Sequence, residues 1–575
     1  MRISVIILLA ILTLVSCNNK KESTASIEKT FCNPLNISYR FCLDEPSRRE
    51  AADPTMVVYK DKYFLFASKS GGYWYSDDLL NWTFIETNEI PVEEYAPTVV
   101  AVDDILYFLA SSNEKSTVYK TGDPFSGKWQ VAVESLEIPV WDPALFLDDD
   151  KKMYLYWGCS NKNPLYGVEV DYKNNFSFIG KPVELKYPEP EKFGWEVPGD
   201  FNTLKGQSPW IEGAWVNKHN GKYYLQYAGP GTEYKSYSDG VYVSENPLGP
   251  YTVSAHNPFS YKPEGFISGA GHGSTFKDKY GNYWHIGTIT ISVKHMFERR
   301  LALFPTFIDE SGLLYTSTEF GDYPTIIPQR KIEKPENIFK GWMLLSYNKE
   351  VEVSSSIDSF PPENITDEDI RTHWSAQSGS KDEWALIDLG ETSDVYSLQI
   401  NFAEEGTRIF GRQKDLYHRY TIECSDDKVN WKMLADKSEN MTDNTHEYIQ
   451  LDEKVSCRYI RIKNVQVPGG NFAISGLRVF GKGKGASPSE PGSFSVIRNK
   501  DDKRCVSLSW DKTEGADGYN ISFGTKENKL YSSYIVYGDT SLEIRSLNTD
   551  MPYYFSIEAF NENGISKGSS ILKTE

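Results

Sequence analysis

The most constraining feature of this chain is a unit that occurs five times in its N-terminal half. Each copy opens on one key residue, followed by a short apolar strand, a polar turn and a second strand of alternating aromatic and aliphatic residues. The key residues are Asp53, Ala96, Asp142, Glu212 and His272. Radial repetition of small antiparallel sheets is typical of a β-propeller, in which the innermost strand of every blade lines one channel. The repeat therefore predicts that three distant carboxylates converge, an arrangement suited to acid–base chemistry.

Composition agrees with an all-β, multidomain protein. The chain has 575 residues, enough for roughly three or four domains of ordinary size. Aromatic residues make up 14% of the sequence, and alternating runs such as YYLQYA and YYFSIEAF are far commoner than helical periodicity. The net charge of −19 argues against a basic face for nucleic acid or an anionic membrane and suits a neutral ligand.

The N-terminus reads as a targeting segment. After Met1-Arg2, the apolar run at 3–15 is too short to span a bilayer, and it ends in Leu-Val-Ser-Cys at Cys17. This run resembles the cleavage box of bacterial lipoproteins, which implies that Cys17 is lipidated. We therefore expect a signal peptide at 1–17, a flexible tether at 18–30, and a protein held at the outer membrane, cell surface or periplasm by its lipid alone. The alternative is an ordinary signal peptide with an incidental cysteine.

The chain divides into three folded regions joined by a Gly/Ser/Pro linker. The motifs PPENITDEDIRTHWSA, YTIECSDDKVNWKML and SCRYIRIKNV resemble the discoidin (coagulation factor type C) jelly roll, which serves as a carbohydrate-binding module. The C-terminal region resembles a fibronectin type III sandwich, an immunoglobulin-like fold, and is expected to be a spacer. The expected architecture is a five-bladed β-propeller at 31–340, a β jelly roll at 341–483, a linker at 484–492 and a β-sandwich at 493–575.

Details within the two C-terminal regions carry further expectations. In the sandwich, Trp510 and Tyr519 are expected in the core, and Tyr554 is expected to be the corner tyrosine. In the jelly roll, Gly476 stands where relatives often place an acidic residue that helps to hold structural calcium. Cys32 and Cys42 could pair across a short loop, since an exported protein permits disulfides.

The openings of the repeats resemble those of glycoside hydrolase family 43. The resemblance rests on ADP at Asp53, WDP at Asp142, EGAW at Glu212, GHGS at 271–274, and an Arg followed by a Pro six residues later, at Arg299. It implies an inverting glycosidase with Asp53 as general base, Glu212 as general acid, and Asp142 as the acid that orients and tunes the proton donor. Inverting hydrolysis needs a base for water on one face of the sugar and a protonated acid on the other. An Asp-Pro turn at a strand start is the structural alternative for each Asp alone.

The same resemblance implies roles for residues around the acids. His272 is expected on the channel axis, binding substrate or holding a calcium ion, and the alternative is a structural histidine. Arg299 is expected to bind a sugar hydroxyl, the alternative being a surface ion pair. Trp74 and Trp195 are candidates for stacking on sugars. The chemistry requires no cofactor, although a structural calcium in the channel is compatible with it.

The leading functional hypothesis is an α-L-arabinofuranosidase-type exo-enzyme that acts on plant or microbial oligo- or polysaccharide as a monomer. β-Xylosidase, β-galactofuranosidase and exo-β-galactosidase activities remain alternatives, because the pocket loops decide among them. A sucrose- or fructan-acting propeller is less compatible with the segment around Asp53. From another class, the chain could be a catalytically inactive surface glycan-binding lipoprotein, but such a protein would not need all three acids.

Overall fold

The computed structural model of the chain describes residues 28–332, 334 and 338–574. The expected signal peptide, the lipidation site Cys17 and most of the tether lie outside the described residues. Within the described part, helices are too short or too polar to cross a bilayer. Short 3₁₀ helices occur at Pro124–Ser126, Gly194–Glu196 and Pro362–Ile365. Three two-residue strands precede the first blade: β1 (Thr30–Phe31), β2 (Arg40–Phe41) and β3 (Arg49–Glu50).

Five four-stranded antiparallel sheets then follow one another along the chain, each with its strands in sequence order. This is the predicted five-bladed propeller. The blades consist of β4 (Ala52–Tyr59), β5 (Lys62–Ser68), β6 (Gly72–Ser76) and β7 (Trp82–Glu86); β8 (Thr98–Val102), β9 (Ile105–Leu109), β10 (Val118–Thr121) and β11 (Gln130–Val133); β12 (Ala144–Leu147), β13 (Met153–Trp157), β14 (Leu165–Asp171) and β15 (Ser177–Lys186); β16 (Glu212–His219), β17 (Lys222–Gly229), β18 (Ser238–Ser244) and β19 (Thr252–Val253); and β20 (Gly271–Lys277), β21 (Tyr283–Thr290), β22 (Arg299–Ile308) and β23 (Leu314–Thr316).

Apolar side chains fill the spaces between neighbouring blades and hold the ring together. The second strand of blades 1, 3, 4 and 5 is almost entirely buried, because sheets in a propeller pack on both faces. Blades 1 and 5 close the ring around Trp74 and Trp284, and the N-terminal segment fills this seam. There Leu35 N–H donates to the Leu301 carbonyl over 2.9 Å, and the Asn33 side chain bonds the Leu303 backbone. The seam thus depends on residues that precede the first blade.

The second region is a jelly roll whose principal sheet has eight strands. After β24 (Thr325–Ile326), which pairs with β1, its strands are β25 (Met343–Leu344), β26 (Glu350–Val353), β27 (Trp374–Ser375), β28 (Trp384–Phe402), β29 (Arg419–Ser425), β30 (Lys432–Asp436), β31 (His446–Gln466) and β32 (Ala473–Lys482). Gly476 has a packing reason: a Cβ there would lie 2.8 Å from the Phe266 ring of the propeller. The acidic residue of relatives would not fit at this contact.

The third region is a two-sheet sandwich. Its strands are β33 (Ser495–Arg498), β34 (Val506–Ser509), β35 (Gly518–Gly524), β36 (Ser532–Tyr537), β37 (Ser541–Ile544), β38 (Tyr553–Asn561), β39 (Gly564–Ile565) and β40 (Leu572–Thr574). Trp510 and Tyr519 lie in its core, as predicted, with ring centroids 5.2 Å apart. The corner tyrosine is Tyr553 instead of Tyr554, because the Tyr553 hydroxyl accepts from Asn548 N–H at 2.9 Å.

The three regions share one apolar cluster, so they pack as a single body at this point. It combines Phe320 of the propeller, Phe480 of the jelly roll and Phe560 of the sandwich. The sandwich also stacks Tyr531 on Tyr315 of blade 5, with centroids 3.7 Å apart. The sandwich thus packs against both other regions, and its role as a spacer stays a prediction.

The six described cysteines are free. Cys32 lies against the Asp322 carbonyl, with Sγ 3.1 Å from the oxygen. Cys42 instead lies beside Glu50, with Sγ 3.6 Å from Oε2. The expected pairing of Cys32 with Cys42 is therefore wrong.

Candidate active site

The inner strands of the blades deliver the key residues to one end of the propeller channel. In three blades the first strand has the same irregularity: Ala52, Glu212 and Gly271 are paired residues, and pairing resumes three positions later. Residues Asp53 and His272 therefore occupy equivalent positions, each with positive φ. The equivalent position in blade 4 is Gly213, also with positive φ. Glu212 thus lies one residue before the position that the sequence repeat predicted.

This one-residue offset explains the glycine after the acid. A Cβ on Gly213 would lie 2.6 Å from two carbons of the His272 ring. Its φ of +63° also belongs to the left-handed region that glycine adopts without strain. Glycine therefore allows His272 to occupy the space beside Glu212.

Hydroxyl groups at the end of the second strand hold the key residue of the next blade. Ser68 Oγ accepts from Ala96 N–H at 2.8 Å, and Ser111 Oγ accepts from Asp142 N–H at 2.9 Å. Thr288 Oγ1 does the same for Asp53 N–H at 2.8 Å, which joins blade 5 to blade 1. These bonds anchor the backbone at the strained turn where each inner strand begins. The hydroxyls share one position of the repeat, so sequence alignment of the copies could have found them.

Asp53 is buried beside a cation. Arg299 Nη1 donates to Asp53 Oδ1 at 3.0 Å, and Ser68 Oγ donates to Oδ2 at 2.6 Å. His272 Nδ1 lies 3.4 Å from Oδ1. Burial by itself raises the pKa of Asp53, but the charges of Arg299 and His272 and the bond from Ser68 outweigh it and hold the pKa below its ordinary value. Asp53 is therefore an ionised carboxylate, the state required of a general base.

Asp142 and Glu212 form the opposite kind of site. One ligand atom each from Asp142, Glu212 and Cys159 lie within 4.8 Å of one another. Burial raises the pKa of Asp142; the nearby charge of His272 opposes this, and those of Glu212 and Asp53 add to it. Asp142 therefore retains a proton to higher pH than an isolated carboxyl.

Two residues that the sequence interpretation missed hold Glu212. The Tyr237 hydroxyl donates to Glu212 Oε1, and the Cys159 thiol lies 3.2 Å from Oε2. Burial, followed by the charges of Asp142 and Glu212, raises the pKa of Cys159, so the thiol stays protonated and acts as a donor. Neither residue belongs to a repeat position with a matching partner in another blade, so no pattern pointed to them.

His272 lies between the base and the acid pair. Its Nδ1 lies 3.7 Å from Asp142 Oδ2, and its backbone N–H donates to Asp239 Oδ1 at 2.7 Å. Burial lowers the pKa of His272, but Asp53 and the other surrounding acids raise it further than burial lowers it. A positively charged imidazole here would attract both carboxylates. Whether His272 contacts substrate stays a prediction.

The residues do not fit the expected calcium. The grouping of Asp142, Cys159 and Glu212 is the one that could jointly hold a metal within the described part of the chain, and it excludes His272. Calcium takes six to eight hard oxygen ligands, whereas this set brings a thiol.

Arg299 differs from the expectation in what it contacts. The guanidinium is buried and its donors go to Asp53, to Glu50 Oε1 at 2.7 Å and to Thr232 Oγ1 at 3.2 Å. The burial of Arg299 and of its partner Glu50 excludes a surface ion pair. The neighbouring Arg300 is buried as well. Binding of a sugar hydroxyl stays a prediction. The contacts show a role of Arg299 as the charge partner of Asp53.

The tryptophan predictions are wrong for both named residues. Trp74 and Trp195 are 0% exposed: Trp74 fills the seam between blades 1 and 5, and Trp195 packs on Tyr227 inside blade 4. A buried ring has no free face for a sugar. Trp141 and Trp210, each next to or near a catalytic candidate, are 37% and 44% exposed instead.

Comparison with known families agrees with this geometry. The family model described as glycosyl hydrolases family 43 matches residues 47–312, which include all three acids. The propeller belongs to glycosyl hydrolase family 43. The models for the F5/8 type C domain and the fibronectin type III domain match residues 350–476 and 489–575. The recognised families and the all-β fold class are thereby confirmed.

Curated relatives of the propeller have different names. An arabinoxylan arabinofuranohydrolase of Paenibacillus polymyxa is 30% identical over 156 residues, which are 26% of this chain and 22% of the relative. A xylan 1,3-beta-xylosidase of a Vibrio species is 26% identical over 267 residues, 40% of this chain and 46% of the relative. The chain thus spans less than half the length of these relatives. A crystal structure of an endo-1,4-beta-xylanase from Bacteroides thetaiotaomicron is 24% identical, covering 50% of this chain and 98% of that one, with a TM-score of 0.40.

Proposed function

We propose that the chain is an inverting exo-glycosidase. The observation that carries the proposal is the opposite electrostatic environment of two carboxyl sites that share one pocket. Arg299 and Ser68 keep Asp53 ionised, whereas burial and the charges of neighbouring acids raise the pKa of Asp142 beside Glu212. Titratable groups with environments that push their protonation apart are the usual sign of a base and an acid.

The proposed reaction assigns one proton movement to each carboxyl. Asp53 accepts a proton from water as the water oxygen attacks the anomeric carbon. The glycosidic bond breaks, and Glu212 donates its proton to the leaving oxygen. Asp142 lies beside Glu212 as the neighbouring acid of the proton donor. Tyr237 and Cys159 orient the Glu212 carboxyl by hydrogen bonds at both of its oxygens.

The depth of the site favours exo action. Asp53 and Asp142 are each 5% exposed, so a polysaccharide chain lying across the propeller face would not reach them. A terminal sugar inserted into the pocket would. For the sugar itself, we propose a terminal α-L-arabinofuranosyl residue, supported by the name of the Paenibacillus polymyxa relative. Terminal xylosyl, β-galactofuranosyl and β-galactosyl residues are the alternatives within the same chemistry.

A panel of aryl furanosides and pyranosides tests this assignment. Purified protein should release aryl alcohol fastest from the α-L-arabinofuranoside. Proton NMR of the first anomer formed should show inverted configuration. Retention would contradict the mechanism, whereas preference for another sugar would contradict only the substrate assignment. Turnover of internally linked oligosaccharides without terminal release would contradict exo action.

The rival hypothesis is an inactive glycan-binding protein. The intact environment of Asp53 favours an enzyme, because burying a carboxylate with an arginine is costly unless the charge has a use. Glu212→Gln separates the two hypotheses: an enzyme loses hydrolysis and retains glycan binding, whereas a binding protein shows the same binding and no hydrolysis in either form.

We also propose that the protein is anchored by lipid at Cys17. The support is the sequence alone: a basic start, a short apolar run and a Cys at its end. An anchor there would hold the glycosidase at a surface that meets polymeric glycan. The test of this proposal uses the 575-residue chain expressed in its native host.

A further inference from the structure

Two neighbouring strands have one face toward the catalytic base and the other toward the jelly roll. Adjacent residues of an extended strand point to opposite sides. On β3, Glu50 binds Arg299, and on β22, Arg299 binds Asp53. Their chain neighbours, Arg49 and Arg300, point away from the pocket. The two strands are also joined directly, since Arg300 Nη1 donates to the Arg49 carbonyl at 2.6 Å.

Arg49 is held by two carboxylates of the jelly roll. Its guanidinium is buried, with Nη2 2.8 Å from Glu404 Oε1 and 2.8 Å from Asp443 Oδ1. Nε also donates to Glu404 Oε2 at 2.8 Å, which makes the pair bidentate. Such charge-assisted pairs have strict geometry. The position of Arg49 is therefore set by a domain outside the propeller.

Arg300 is held by the same domain through a histidine. Its Nε donates to His446 Nε2 at 2.9 Å, and His446 Nδ1 is 2.8 Å from Asn401 Oδ1. Burial, and then the charge of Arg300, hold the pKa of His446 well below its ordinary value. The ring is therefore neutral and its Nε2 accepts the bond from Arg300. The hydrogen bond from Arg300 can form only while Nε2 of the His446 imidazole is unprotonated.

A second set of jelly-roll contacts reaches the loop that serves both carboxyl sites. This loop, residues 230–237, supplies Thr232 to Arg299 and Tyr237 to Glu212. Arg371 of the jelly roll donates to the Glu233 carbonyl at 3.5 Å. The jelly roll thus contacts the base side of the site through Arg49 and Arg300. It contacts the loop that carries Tyr237, the partner of Glu212, through Arg371.

We propose that the jelly roll is a positioning element of the catalytic site, and that Glu404, Asp443 and His446 hold the Glu50–Arg299 pair in register with Asp53. The inference rests on the proposed glycosidase function. The resemblance of the domain to carbohydrate-binding modules implies sugar capture alone. The inference assigns the domain a further role, the positioning of catalytic groups. The three residues touch neither substrate nor the reacting atoms, so they act only through Arg49 and Arg300. The coupling is mechanical, through β3 and the first residues of β22, which are each held by side-chain contacts on both faces.

The test compares Glu404→Gln with Glu423→Gln. Glu404→Gln removes the charge that holds Arg49 and keeps the shape. Glu423→Gln is the control in the same domain, because Glu423 is also buried but pairs with Arg461 and Lys463 of the jelly roll itself. We expect Glu404→Gln to lower kcat about tenfold or more with little change in KM, since small misplacements of catalytic groups are costly. The control should retain wild-type values.

The pH profile adds a readout that a merely structural role would not move. Asp53 is faced by Arg299, His272, Asp142, Tyr237 and the Ser68 hydroxyl. Loosening Arg299 removes part of the effect that lowers the pKa of Asp53. The acid limb of kcat/KM should therefore move to higher pH in Glu404→Gln and stay unchanged in the control. Asp443→Asn should shift the limb in the same direction.

A lowered melting temperature with unchanged kcat and an unchanged acid limb would overturn the inference. If Glu404→Gln does not fold, His446→Gln serves instead, because its amide oxygen can still accept from Arg300 but at a different distance. Hydrogen exchange of the peptides covering 47–55 and 292–300 provides a readout without turnover: faster exchange supports the inference and equal exchange contradicts it. An inactive wild-type enzyme would contradict the proposed function, whereas an active one with unaffected variants contradicts only this inference.

Discussion

The hydroxyl of Ser68 donates to Asp53 Oδ2 over 2.6 Å and at the same time accepts from the N–H of Ala96. One side chain therefore joins the base of blade 1 to the backbone of blade 2. A hydrogen bond to a charged group contributes about 1.5–3 kcal/mol, so this one helps both to orient the carboxylate and to keep it ionised. The contact is a property of the blade junction and lies outside the motifs of the inner strand.

Ser68→Ala should weaken the base without removing it. We expect kcat/KM to fall about tenfold or more, in line with the strength of a bond to a charged group. The acid limb should move to higher pH, because the bond from Ser68 lowers the pKa of Asp53. Steady-state kinetics across pH measure both effects. A variant with wild-type kcat/KM at every pH would contradict the role of Ser68.

Asp53→Asn should abolish turnover and leave the fold intact. The amide matches the carboxylate in size but cannot accept a proton from water, so the loss should be about 10²–10⁴-fold or more. Arg299 would lose a charge partner but keep Glu50. Hydrolysis of a natural oligosaccharide and the circular dichroism spectrum are the measurements. Activity within tenfold of wild type would rule out Asp53 as the base.

Glu212→Gln should affect substrates according to their leaving groups. An aryl glycoside with an acidic phenol needs little protonation, so it should lose far less activity than a natural glycoside. The measurement is kcat/KM for both substrates with the same enzyme preparation. Equal losses would show that Glu212 is not the proton donor.

The dependence of kcat/KM on pH should be bell-shaped and displaced at both ends. The pKa of Asp53 is lowered, so activity on the acid side should persist to lower pH than an ordinary Asp would allow. Burial raises the pKa of Asp142 to about 7, so activity should fall as the pH rises through about 7. Asp142→Asn keeps the neutral form of this group at every pH, so the fall in activity on the alkaline side should move to higher pH. An alkaline limb that does not move would show that Asp142 does not set it.

Cys17→Ser should release the protein from membranes in its native host. In this proposal the apolar run is cleaved off before Cys17, so the acyl chains on Cys17 hold the protein to the membrane. Stable anchoring requires more than one acyl chain. Fractionation of cells followed by immunoblotting measures the distribution, with Ser16→Ala as the matched control. Wild-type membrane association of Cys17→Ser would disprove lipidation at this site.

Local sequence patterns were sufficient to predict the fold class and the principal acids. Alternation of apolar residues along short strands is a local property, and the key residues recur at one position of the repeat, so the repeat alone places Asp53 and Asp142 at the channel. Glu212 was also identified, because its EGAW opening marks an inner strand. Its one-residue offset could not be predicted, since it arises from backbone pairing and from the space that the His272 ring takes beside Gly213.

The surroundings of those acids depend on tertiary packing. Cys159 reaches Glu212 from the end of another blade, and Arg49 meets Glu404 355 residues further along the chain. Such contacts follow from how rigid sheets and domains pack, and they leave no periodic trace in the sequence. The same reason explains the error at Trp195: an aromatic residue in a long insertion has equal sequence character whether it lines a rim or fills a core. Burial is a property of the folded chain, and Trp195 is buried because it packs on Tyr227 in blade 4.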